Sequence, residues 1–275
     1  EAYVVPKDYF WQEIAKPINP YAINVLKNPQ DLIITLKITA FVLLLIILNF
    51  LFRLSSFGER VHHFFERFSA IGPILVRIAI AASFFFAAKS NAFLGPELSL
   101  SQMPFSQIIK AGLYISSFMI LFGFFTEIAA FVGLMIFIVG FFTFGPYLIT
   151  YLNYLGELIV LAIFGMRRFS FDRLLFGPLK NWREKLEPYE TTIVRVFYGI
   201  ALIYAGITVK FLHPDLSLRV VNDWQLTKFH WLFPSDPLLV VFGAGIAEAV
   251  VGLFILVGFE LRMTVLISLF YITLS

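Results

Sequence analysis

Long apolar stretches alternate with short polar ones along this chain, and the apolar stretches have the lengths of membrane helices. After a polar, aromatic and proline-interrupted opening over residues 1–31, the first apolar run is Leu32–Phe52. Others follow at about Pro73–Leu94, Phe105–Phe125, Ile128–Phe144, Leu148–Met166, Thr191–Leu212 and Leu238–Phe259, and an eighth begins at Leu261. Crossing a bilayer takes about 20 residues of helix. The pattern therefore predicts an all-α, polytopic helical membrane protein, with Gly145-Pro146 breaking the fourth run from the fifth.

Two amphipathic pieces punctuate the apolar runs. In SSFGERVHHFFERFSA, Val61, Phe64, Phe65 and Phe68 share one helical face, and Glu59, Arg60, His62, His63, Glu66 and Arg67 fill the rest. Ser56 with Glu59 makes a capping box at its start. This predicts an interfacial amphipathic helix. In the opening segment, Asp8 is placed to cap a short helix over YFWQEIAK. At the far end, residues 263–275 read MTVLISLFYITLS, which has membrane-helix composition but is too short to cross. Continuation of the natural chain beyond Ser275 is the expectation, since a carboxylate inside hydrocarbon is costly.

Composition agrees with the pattern. Hydrophobic residues make up 59% and charged residues 14%, against about a quarter charged in soluble domains. The net charge of +3 is spread over several loops, so no nucleic-acid footprint is present. The absence of cysteine excludes disulfides, thiolate metal sites, iron–sulfur clusters and cysteine nucleophiles. The position of the basic residues sets an orientation. Loops 53–72 and 167–190 hold nine Lys or Arg, whereas the longer segments 1–31 and 213–237 together hold five. Alternation of the spans places both basic loops on one side, and the positive-inside rule makes that side cytoplasmic. The expectation is an integral protein of a prokaryotic cytoplasmic membrane with its N-terminus outside.

The chain also repeats itself. A shift of 118 residues lays RIAIAASFFFAAKSNAFLGPELSL, from Arg77, on RVFYGIALIYAGITVKFLHPDLSL, from Arg195, without a gap. Arg77 meets Arg195, Phe93 meets Phe211, Pro96 meets Pro214 and Glu97 meets Asp215. Further on, LFGFFTE at 121–127 parallels ILVGFELR at 255–262. Two parallel, non-inverted units follow from this, and the Arg77/Arg195 and Pro96/Pro214 pairs are expected at equal depth. Parallel repeats neither support nor exclude a transporter.

Each unit resembles the DoxX-like membrane family, in which a four-helix unit opens with an Arg and carries a G-x-x-x-K stretch and an E-x-x-x-G helix leading to a turn with Arg. It closes on G-x-x-R-x-S-x-D. The second unit carries Arg195, Gly206 with Lys210, Glu248 with Gly252, Gly258 and Arg262; the first carries Arg77 and the closing Gly165, Arg168, Ser170 and Asp172. The first unit departs elsewhere: Ala92 stands opposite Lys210, Lys89 lies one turn earlier, Leu113 stands opposite Glu248, and Glu127 falls where Arg is usual. The resemblance covers about 180 residues and leaves out residues 1–72. It implies two tandem DoxX-like helical bundles, preceded by one extra span and the amphipathic helix. The organisation is then a tail at 1–31, a span and interfacial helix at 32–72, units at 73–177 and 191–275, and a cytoplasmic linker at 178–190. The resemblance further implies membrane redox complexes; one branch is similar to the membrane subunit of a thiosulfate:quinone oxidoreductase.

Ionisable groups inside spans mark where chemistry can reside. Glu157 and Glu248 lie near mid-span and are the candidate catalytic carboxylates. Arg77, Lys89, Arg195 and Lys210 lie nearer span ends and are the candidate quinone-binding cations. They can surround a quinone headgroup, or they can be structural: ion pairs between helices for the carboxylates, snorkelling or pairing for the cations and for Lys110. Lys210 is the leading partner for Glu248, but counting from the expected span ends separates them by about 12 Å in depth, more than a lysine side chain covers. Glu248 is accordingly expected to be protonated or hydrogen-bonded to a nearer neighbour, unless helix tilt, a re-entrant start or a water closes the gap. The four histidines, His62, His63, His213 and His230, have no haem or metal spacing, and no nucleotide-binding or hydrolase motif occurs. The 34 Phe are lipid-facing and packing residues; FFF at 84–86 and FF at 141–142 could also line an apolar quinone cleft. Two functions remain open on the sequence. One is a membrane subunit of a quinone-linked redox system; the other is a non-catalytic anchor or assembly subunit of a larger complex, which the external tail favours. Lipid and further subunits are the expected partners.

Overall fold

Apolar runs free of internal proline wind into helices because, in hydrocarbon, every backbone amide and carbonyl has to bond within its own segment. The computed structural model describes residues 7–17, 29–53, 55, 59–60, 72–165, 185–228 and 236–258. Its helices are α1 (Lys7–Ala15), α2 (Pro29–Arg53), α3 (Gly72–Lys89), α4 (Ser106–Phe122), α5 (Thr126–Phe144), α6 (Leu152–Phe164), α7 (Glu190–Ala205), α8 (Pro214–Asp223) and α9 (Pro237–Val257). A short hairpin, β1 (Ala92–Phe93) with β2 (Gly95–Ser99), follows α3. The chain divides into a terminal unit, within Glu1–His63 and Leu202–Ser275, and a central unit, within Phe64–Ala201.

In the central unit, α3 packs on α4, α4 on α5, α5 on α6, and α6 closes the ring against α3. The turn from α4 to α5 is made by Gly123 at φ +72°, whose amide bonds back to Ile120, the usual glycine end of a helix. The reversal from α5 to α6 begins at Gly145, at φ +65°, with Pro146 opening a short 3-10 segment, Gly145–Tyr151. Two glycines set how closely these helices approach. A Cβ on Gly133 would lie 2.9 Å from Leu158 and 2.9 Å from Phe84, and one on Gly165 would lie 3.1 Å from Thr126. Thr126 beside Gly165 and Gly133 beside Leu158 make α5 and α6 antiparallel. Ile80, Phe84, Leu113, Ile120, Ala130 and Leu158 fill the interior. Phe86, Ile108, Ile115, Phe131 and Phe142 point outward and are exposed.

Among the described residues, three helical stretches are long and apolar enough to cross a membrane: Thr126–Phe164, Glu187–Leu212 and Pro237–Val257. The first holds the α5–α6 reversal. This is a membrane protein, and its described residues form helices with one small hairpin.

The hairpin departs from the expected second span, which was to run to Leu94. Helix α3 ends at Lys89, and Asn91 (φ 52°) and Leu94 (φ 56°) turn the chain in the left-handed region. Phe93 drives the departure: it is 1% exposed, stacks on Phe144 at 6.2 Å, and packs against Gly140, where any Cβ would meet its ring.

In the terminal unit, α2 and α8 pack on α9, and α1 packs on α8, with the Arg219 guanidinium 4.7 Å above the Tyr9 ring. The stretch 213–237, expected as a polar loop, contains α8: Pro214 sits in its first turn and Asp215 follows, both favourable at a helix start. Asp8 lies inside the first turn of α1 rather than at its cap. The repeated motif therefore takes two local forms, with Pro96-Glu97-Leu98-Ser99 in a strand and Pro214-Asp215-Leu216-Ser217 opening a helix. The amphipathic segment around Ser56, His62 and His63, most of the basic loop with Arg168, Ser170, Asp172 and Trp182, and His230, Trp231, Arg262 and 263–275 lie outside the described residues.

Candidate functional site

Lys210 and Glu248 meet. Lys210 stands on a π-helical turn, Gly206–Leu212, that continues α7, and Glu248 stands in the middle of α9. The Lys210 ammonium donates to Glu248 Oε1 and forms an ion pair with it, the two side chains keeping 19% and 15% of their exposure. The other carboxylate oxygen, Oε2, is buried and has no hydrogen-bond partner among the described residues. Two glycines bring the helices together: a Cβ on Gly206 would lie 3.1 Å from the Gly245 carbonyl, and one on Gly245 would lie 3.0 Å from Lys210 Cβ. Phe211 and Phe242 pack beside the pair, ring centres 5.5 Å apart.

This contact corrects the expected depth separation. Gly245 lies level with Lys210, so Glu248 is three residues further along α9, about 4.5 Å at helical rise. The count from span ends failed because the two helices do not end at the same level. The first turns of α9 extend past the π turn and are covered by α8, where Val221 packs with Val240 and Val241. Lys210 lies on the seven-residue π segment, which packs against α9. Such turns occur often at functional sites.

The central unit holds a second polar group, built on the hairpin. Glu97 is 8% exposed and accepts hydrogen bonds at Oε1 from the Tyr147 hydroxyl, at 3.1 Å, and from the Tyr151 hydroxyl. Gly95 leaves the space for this, since a Cβ there would lie 2.6 Å from Glu97 Oε1 and strike the Tyr151 hydroxyl. The Tyr151 ring stands 6.3 Å from that of Tyr154, and the Tyr154 hydroxyl lies 3.4 Å from Ser83 Oγ on α3. Neither Glu97 nor these tyrosines came out of the sequence as site residues. Their signal was there: Tyr147, Tyr151 and Tyr154 recur at i, i+4 and i+7, which is one helical face.

The remaining candidates separate. Arg77 is 5% exposed, and its guanidinium donates to the Gly165 carbonyl at the end of α6. There it satisfies a terminal carbonyl and opposes the negative end of the helix dipole. Arg195 is half-buried, and its Nε lacks a hydrogen bond among the described residues. Lys89 is exposed at the end of α3 and joins no other candidate. Lys110 donates to Asn91 Oδ1 at 2.6 Å, tying the start of α4 to the hairpin. Glu157 is half-buried on α6, beside a tight crossing with α7 where a Cβ on Gly156 would lie 2.7 Å from Phe197.

No protein-family profile, no curated protein and no solved structure matches this chain.

Proposed function

We propose that this chain is the membrane subunit of a quinone-linked redox system and that Lys210 and Glu248 form its quinone site. The observation that carries the reading is the half-buried Lys210–Glu248 pair with an unpartnered carboxylate oxygen, set on a π turn inside a membrane protein. The group suits a quinone: an ammonium for a carbonyl oxygen, a carboxylate that positions that ammonium, and the Phe211–Phe242 pair as an apolar wall. A bound quinone would supply two-electron, two-proton chemistry, with electrons from a partner subunit. Lys210 orients and polarises, and the Glu248 carboxylate holds the ammonium in place. The Gly206–Gly245 approach keeps both on rigid helices. Three of the DoxX-like motif residues, Gly206, Lys210 and Glu248, support the same reading, because they meet at this contact.

Quinone extracted from the purified protein tests it. Wild type should carry quinone in near-stoichiometric amount, and Lys210→Met and Glu248→Gln should each lose most of it while still inserting. Equal quinone in all three, or none in wild type, would leave the chain as a non-catalytic anchor.

A further inference from the structure

The hairpin gives the central unit a polar track that the quinone reading does not use. Glu97, almost fully buried, is held by Tyr147 and Tyr151 at the hairpin end. One turn along α6, Tyr154 presents its hydroxyl to Ser83. One turn further comes Glu157, half-buried beside the α6–α7 crossing at Gly156 and Phe197. No ion pair among the described residues includes Glu157.

Spacing makes these groups a line. Tyr151 ends the 3-10 segment just before α6, and Tyr154 and Glu157 follow at three-residue steps, the second rising about 4.5 Å along α6. A phenol hydroxyl donates and accepts at once, as does a protonated carboxyl. These are the side chains that pass a proton by turning a hydroxyl. Ionisable groups inside membrane helices typically face such internal paths.

We propose that Glu97, Tyr151, Tyr154 and Glu157 form a proton-access path running from the hairpin into the central unit. A proton enters at the Glu97 carboxylate, passes along the Tyr151 and Tyr154 hydroxyls with Ser83 as a side partner, and is held at Glu157. Each hydroxyl receives one proton as it releases another, so the path carries charge without a redox step. Gly95 is the structural condition for the entrance, because a side chain there would displace Tyr151 from Glu97. The path lies within the central unit and stands whether or not Lys210 and Glu248 bind quinone.

Infrared hydrogen–deuterium exchange of the full chain in nanodiscs tests it. The carboxyl band lost in Glu157→Gln assigns Glu157, and its downshift after transfer to D2O times proton access. Tyr151→Phe and Tyr154→Phe keep the rings and should each slow that downshift by about tenfold or more. Ser83→Ala, which removes only the side partner, should slow it less. Unchanged exchange in both Phe variants would overturn the proposal, as would the absence of any Glu157-dependent protonated band between about pH 5 and 8.

Discussion

Removing Lys210 and Glu248 one at a time and then together separates a coupled ion pair from two independent polar side chains. Lys210→Met leaves a carboxylate between α9 and the π turn; Glu248→Leu leaves an ammonium there. Taking one partner from a fully buried pair typically costs about 3–5 kcal/mol, and a fully exposed pair is worth about 0–1 kcal/mol. These side chains keep 19% and 15% of their exposure, which puts each single substitution at about 2 kcal/mol. Replacing both with apolar groups of similar size removes the stranded charge, so the double variant should cost less than about 1 kcal/mol. The coupling is then near 3 kcal/mol, at the upper end of what contacting pairs show. Reversible unfolding in mixed micelles measures all four proteins. Additive effects, with a coupling below about 0.5 kcal/mol, would refute a real Lys210–Glu248 contact.

Gly95→Ala should break the Tyr151–Glu97 hydrogen bond and destabilise the protein by about 1–3 kcal/mol, read from thermal unfolding together with the tyrosine hydroxyl bands. Gly156→Val should separate α6 from α7 at Phe197 and cost about 1–3 kcal/mol. By contrast, Gly112→Ala, whose Cβ would meet Ile136 at an ordinary 3.4 Å, should leave stability unchanged or raise it by up to about 1 kcal/mol; equal losses at both glycines would contradict the packing described. Arg77→Met should lose the bond to the Gly165 carbonyl, at about 1.5–3 kcal/mol, while Lys89→Ala should stay within about 0.5 kcal/mol, both by the same unfolding assay.

Helix placement was legible in the sequence because lipid leaves the backbone few alternatives. The break at Gly145-Pro146 and the apolar runs that became α5, α6, α7 and α9 could be read directly. Local events driven by a single side chain could not. Phe93 and Gly140 together end α3 early, and neither signals that alone. The Lys210–Glu248 contact is hidden from a count of span ends, because α8 covers an overhang of α9. A π turn has no periodicity that apolar counting detects. Glu97 was visible only as a repeat match with Asp215; its role emerged when the hairpin set it against tyrosines some 50 residues away in sequence. Arg77 and Lys89 look alike as cations near span ends, and only burial distinguishes them.

Photolabelling with an azidoquinone bears most directly on the proposed quinone site. Ultraviolet irradiation of the protein in nanodiscs, followed by peptide mapping, should place saturable label in 206–212 and 242–252, with excess unlabelled quinone competing it away and Lys210→Met abolishing it. Label scattered over lipid-facing residues such as Phe131 and Phe142, or label that quinone fails to displace, would contradict a quinone site at Lys210 and Glu248.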